Sequence, residues 1–169
     1  TNLSEKDFHI LDKLKNVGYD GVEIPIFSGE IEEYEKIGKV LANNGLESTS
    51  LTVIPDEKHN PISNDIDCRN SAINYLKWAI DCSEALNSKL LCGPFHQPLG
   101  IFSGDPPTID EKNRGVEVHQ KVSDYADKNN IHLSIEPLNR FECYFLNTVD
   151  DTKKYLNMVN RKNFGMLYD

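Results

Sequence analysis

Apolar residues recur at helical spacing in some stretches of the chain and at strand spacing in others, and the two kinds alternate. Phe8, Leu11 and Leu14 form one helical stripe, opened by a capping box at Ser4-Glu5-Lys6-Asp7 and stopped by Gly18. A second helix is predicted over 31–44, with Tyr34, Ile37 and Leu41 on one face and Gly45 after its end. A third spans 65–86, with Ile73, Leu76 and Ile80 in register. A capping box at Thr108 to Glu111 opens a fourth, striped by Val118, Val122 and Tyr125, and Thr148 caps a fifth that runs to Val159. Between them lie short runs rich in β-branched and apolar residues at 21–26, 46–54, 89–93, 131–136 and 164–169.

Strand and helix alternation of this kind predicts βαβ units and a parallel sheet. Spacing alone leaves two architectures open. One is a doubly wound, flavodoxin-like sheet. The other is part of a (β/α)8 barrel. In both, ligands gather beyond the C-terminal ends of the strands. The fourth strand separates the two on chemistry. His132, Ser134 and Glu136 share one face and Ile131, Leu133 and Ile135 the other. A doubly wound sheet covers both faces with helices, where a His-Ser-Glu face sits badly. A barrel turns that face inward and brings its last residue to the mouth. Asp169 closes the fifth strand as Glu136 closes the fourth. Two carboxylates on adjacent strand ends are a start for a hard-cation site, although surface carboxylates capping loops fit the same pattern.

Composition narrows the partners. The 169 residues carry 18 Lys+Arg against 27 Asp+Glu, a net charge of −9. That balance argues against nucleic acid, whose affinity comes from Lys and Arg, and against an anionic membrane surface. No stretch reaches the roughly 20 apolar residues of a membrane span. Residues 1–10 show no basic segment leading into an apolar run, which points to a cytoplasmic protein, and a start at Thr1 instead of Met points to residues upstream. Cys68, Cys82, Cys92 and Cys143 show no metal or redox spacing and read as reduced, partly buried thiols. His9 and His119 fall on helices and are expected in solvent. His132 is expected buried and structural, and Trp78 a packing residue. Glu23 is a candidate for the mouth, and Arg140 for a salt bridge or a substrate contact.

Glu136-Pro137-Leu138-Asn139-Arg140-Phe141-Glu142, then Leu146-Asn147-Thr148, then Phe164 to Asp169, resembles the ketose 3-epimerases. These are the D-tagatose and D-psicose 3-epimerases of the xylose-isomerase-like barrel superfamily. Residues 18–24 resemble the family's second strand, and Gly93-Pro94-Phe95-His96 the turn after its fourth. The resemblance implies an α/β fold, a partial (β/α)8 TIM barrel holding strands two to six of eight, with residues 1–169 as one incomplete domain. It implies metal-dependent epimerisation at C3 of a ketose through a cis-enediolate, with carboxylates exchanging the proton. Glu136 would be a catalytic carboxylate and metal ligand, Asp169 a second metal ligand, Glu142 a hydrogen-bond partner of the sugar, and His96 a lining residue of the substrate pocket. The cofactor would be a divalent metal, Mn²⁺ first, with Mg²⁺ or Co²⁺ as alternatives. The family's remaining His and Glu ligands belong to strands after Asp169 and its first strand precedes Ser4, so the chain alone is expected to be inactive. Open strand edges predict a homo-oligomer. Competing readings are a hydroxypyruvate- or xylose-type isomerase, an abasic-site endonuclease, which −9 disfavours, and a non-catalytic flavodoxin-like or fragmentary α/β binding domain.

Overall fold

The computed structural model describes residues 3 and 5–169. All five predicted strands form: β1 Gly21–Pro25, β2 Glu47–Leu51, β3 Leu90–Gly93, β4 His132–Ile135 and β5 Phe164–Met166. The helices are α1 Phe8–Asn16, α2 Ile31–Asn43, α3 Ile66–Ala85, α4 Ile109–Lys128 and α5 Val149–Val159. The capping box on Thr108 closes in both directions with Glu111, and the Thr148 hydroxyl accepts from the N–H of Asp151. Ser4, in the first predicted capping box, lies outside the described residues.

The strands are all parallel and stand in chain order, β1-β2-β3-β4-β5. A doubly wound sheet reverses its order at a switch point. No reversal occurs, so the sheet is a segment of a barrel wall. Its helix-side face carries Ile24, Leu91, Leu133 and Ile135, all buried, in one cluster with Leu76 and Ile80 of α3, Val118 and Val122 of α4 and Tyr155 of α5. The opposite face carries Glu23, Thr49, Cys92 and Ser134, with Glu23 in register with Thr49 and Cys92 with Ser134. Alternation along β4 follows the expected split: Leu133 and Ile135 are buried, while Ser134 and Glu136 are half-buried.

Two strands are shorter than the pattern suggests. β2 stops at Leu51, although Thr52 still donates its N–H to Cys92 O at 2.9 Å. β5 stops at Met166, although Leu167 donates to Ile135 O at 3.0 Å. Tyr168 and Asp169 beyond it are exposed. No helix among the described residues is long and apolar enough to cross a membrane. The four cysteines are free thiols, three of them buried and Cys68 half-buried.

Two histidine expectations are corrected. His119 is wholly buried. It follows Val118 and precedes Val122 by three, so it falls within the apolar stripe of α4. Its Nε2–H donates to Phe95 O at 3.2 Å, which leaves Nδ1 to accept the Tyr155 hydroxyl at 2.6 Å. His132 is exposed instead of buried. It sits on the inner face, and five strands do not wrap far enough to cover that face at their N-terminal ends.

Candidate functional site

Glu136 leaves β4 with its backbone held on both sides, by the last residue of β3 and by the segment after it. Its N–H donates to Gly93 O at 2.9 Å, and its carbonyl accepts from His96 Nε2 at 3.1 Å. Its carboxyl is pushed above the usual carboxylate range, first by burial, then by the charges of Asp169, Glu23 and Glu142. Carboxylates from β1, from just past β5 and from one loop therefore act on Glu136 at this end of the sheet.

Asp169 is exposed just past β5. Glu142 is exposed on the loop after β4, where the Asn139 side-chain amide donates to its Oε2. Asn139 also accepts from the N–H of Phe141 at 3.0 Å, which folds the loop tip into a turn. Arg140 lies over the Phe141 ring, 5.0 Å from its centroid, and forms no ion pair among the described residues. Glu23 projects onto the inner face, where the Cys92 thiol donates to its Oε2 at 3.1 Å and Thr49 Oγ1 at 3.3 Å. Burial, and next the bond to Glu23, push the Cys92 thiol far up, so it stays a protonated donor.

His96 is not where the resemblance implies. It is wholly buried, with its ring 6.0 Å from that of Phe145, and it offers no surface to a ligand. It reaches Glu136 through the backbone and no other carboxylate. Burial, then the neighbouring His119, lower its pKa to about 3, so the ring is neutral and Nε2 carries the proton.

Four carboxylates gather here without an ion pair to any Lys, Arg or His among the described residues. Oxygen donors carrying uncompensated negative charge suit a hard divalent cation. No three described His, Cys, Asp or Glu side chains are grouped tightly enough to hold a metal by themselves. In kind, the oxygen donors of Glu136 and Asp169 at the strand ends would suit such a cation.

The xylose isomerase-like TIM barrel family matches over residues 11–169. A probable ketose 3-epimerase from Synechocystis sp. is 30% identical over 161 residues, covering 95% of this chain and 56% of the relative. A D-psicose 3-epimerase from Agrobacterium fabrum is 26% identical over 167 residues, covering 94% of this chain and 56% of the relative. The chain thus spans a little over half the length of these relatives. Among solved structures, an L-ribulose 3-epimerase superposes with a TM-score of 0.87 at 20% identity, covering 96% of this chain and 55% of that one. A D-psicose 3-epimerase crystallised in the presence of D-fructose gives 0.81 at 25% identity, covering 95% and 57%.

Proposed function

Since this chain belongs to the xylose isomerase-like TIM barrel family, we propose that it supplies the proton-transfer and first metal-binding groups of a ketose 3-epimerase. The observation that carries the reading is the cluster at the strand ends, where Glu136 is braced through its backbone and crowded by Asp169, Glu23 and Glu142. Glu136 and Asp169 would hold a divalent cation, Mn²⁺ being the first choice, which when bound would supply Lewis acidity toward the C2 carbonyl of a ketose. Glu136 takes the C3 proton, made acidic by that carbonyl, from one face of the sugar, and inversion at C3 requires a second carboxylate to deliver a proton to the opposite face. Glu142, steered by Asn139, hydrogen-bonds the sugar hydroxyls.

Two carboxylates would leave most coordination positions to water, so the chain alone is proposed to bind metal weakly and to have little or no epimerase activity. Proton exchange at C3 needs only one base and is the more direct test. With Mn²⁺ in D₂O, the protein is expected to incorporate deuterium at C3 of D-fructose or D-tagatose, followed by NMR. Glu136→Gln is expected to lower the rate at least tenfold. Equal rates in the two proteins would overturn the assignment.

In the described sheet β1 and β5 are edge strands, and open edges pair with other chains. The chain is proposed to assemble as a homodimer or larger. Size-exclusion chromatography with light scattering is expected to give at least twice the mass of one chain, and a stable monomer would refute it.

A further inference from the structure

His96 and Gln97 are consecutive polar residues in the segment after β3, and both side chains are buried, at 0% and 1% exposure. Each reaches across to the loop after β4. His96 holds the first residue of that loop through the Glu136 carbonyl, at 3.1 Å. Gln97 holds its far end: Oε1 accepts the N–H groups of Tyr144 at 3.0 Å and Phe145 at 2.8 Å. The same amide turns back on its own segment, with Nε2 donating to Pro98 O at 3.1 Å and Ile101 O at 2.9 Å. Between these two points, Gly100 N donates to Glu142 O at 2.8 Å. The 136–145 segment, which carries Glu136 and Glu142, is thus gripped at its start, middle and end by residues 96, 100 and 97.

Packing alone does not explain these residue types. The four bonds of Gln97 all go to backbone groups of the two loops, and a buried backbone group left without a partner costs about 1–3 kcal/mol. His96 has the only buried side-chain polar atom without a partner among the described residues, its Nδ1. A Phe or Leu would fill the same space without that orphan. What the imidazole adds is the Nε2–H bond to Glu136.

We propose that His96 and Gln97 are positioning residues, a two-point clamp that sets where Glu136 and Glu142 stand relative to each other. The inference rests on the proposed roles of those two carboxylates, but its geometry does not. The clamp ties the distance between the proton-transfer group and the sugar-binding group to the segment after β3, not to the exposed tip at 139–141.

The test compares the full chain with Gln97→Met and His96→Phe. Site-resolved amide hydrogen exchange is the first readout. In Gln97→Met, the amides of Tyr144 and Phe145 are expected to exchange at least tenfold faster, while those of Leu133 and Glu136 keep their protection. In His96→Phe, the carbonyl ¹³C resonance of Glu136 is expected to shift as it loses its donor. This variant keeps the ring volume and carries the test if Gln97→Met does not fold. The second readout is calorimetry with Mn²⁺ alone, where both variants are expected to bind at least threefold more weakly although neither side chain reaches solvent. An increase in exchange spread evenly over the chain, or an unmoved Glu136 carbonyl, would overturn the clamp. Absence of Mn²⁺ binding in the unsubstituted chain would overturn the functional reading, and exchange and the carbonyl shift then decide the clamp.

Discussion

Taking the protein from pH 7 to pH 4 is expected to remove about 3 kcal/mol of folding stability through His119 alone. Burial lowers the pKa of His119 to about 4 against an ordinary 6.5, outweighing the opposing pull of its bond to the Phe95 carbonyl. Above pH 6.5 the ring is neutral in the folded and the unfolded chain, and its contribution is level. Between pH 6.5 and about 4 the unfolded chain takes up a proton that the folded chain refuses, so stability falls as the pH falls. Below about 4 the folded ring protonates as well and the loss levels off. The chemistry agrees with the direction: Nδ1 is occupied by the Tyr155 hydroxyl, which burial keeps protonated, so a second ring proton has no acceptor. His96, lowered to about 3 by burial and by His119, acts in the same direction. Urea midpoints measured from pH 7 to pH 4 check this. His119→Gln is expected to be less stable at pH 7 but to lose less on acidification, and the comparison subtracts the exposed carboxylates common to both. Equal slopes, or a His119 ring that titrates near 6.5 in the folded protein by NMR, would refute it.

Gly93→Ala is expected to destabilise the fold by ~3–5 kcal/mol, at the upper end of single substitutions. Gly93 has φ +126°, which L side chains rarely adopt, and an added Cβ would lie 2.1 Å from the Thr52 carbonyl oxygen. Thr52 has little room to yield. It is wholly buried, its N–H is bound to Cys92 O, and its hydroxyl donates to Ile26 O at 2.7 Å. Gly93 has little room either, because its own carbonyl accepts from Glu136. Relief of the clash therefore moves the residue on which the proposed chemistry depends. Gly100→Ala separates strain from clash: φ there is +74°, but nothing lies within 4 Å of the added carbon, so about 1–2 kcal/mol is expected. Urea denaturation of the two variants measures both. A Gly93→Ala loss no larger than that of Gly100→Ala would show that the close approach to Thr52 relaxes without cost.

Much of this was legible in one dimension. The stripe of Tyr34, Ile37 and Leu41, the Thr108 capping box and the alternation in β4 are local, and each formed as read. They depend on periods of 3.6 and 2 that any burial on one side imposes. His119 was also within reach, since it lies on the stripe of Val118 and Val122. Position on the stripe, not the polarity of the ring, decides its burial. Gln97 left a weaker trace, a polar pair inside Phe95-His96-Gln97-Pro98-Leu99. Nothing in that string says that the amide finds two backbone donors 47 and 48 residues away.

The amino-acid sequence by itself determined the elements, their alternation, the polar inner and apolar outer faces of the sheet, and the placing of Glu136 and Asp169 at strand ends. These follow from local periodicity and from which side chains leave water. Only the tertiary structure decided the order of the strands, which separates a barrel wall from a doubly wound sheet. It also buried His96, exposed His132, and brought Glu23 and Glu142 into the field of Glu136. Those outcomes depend on loop closures and on how far the sheet wraps, quantities set by packing between residues distant in the chain.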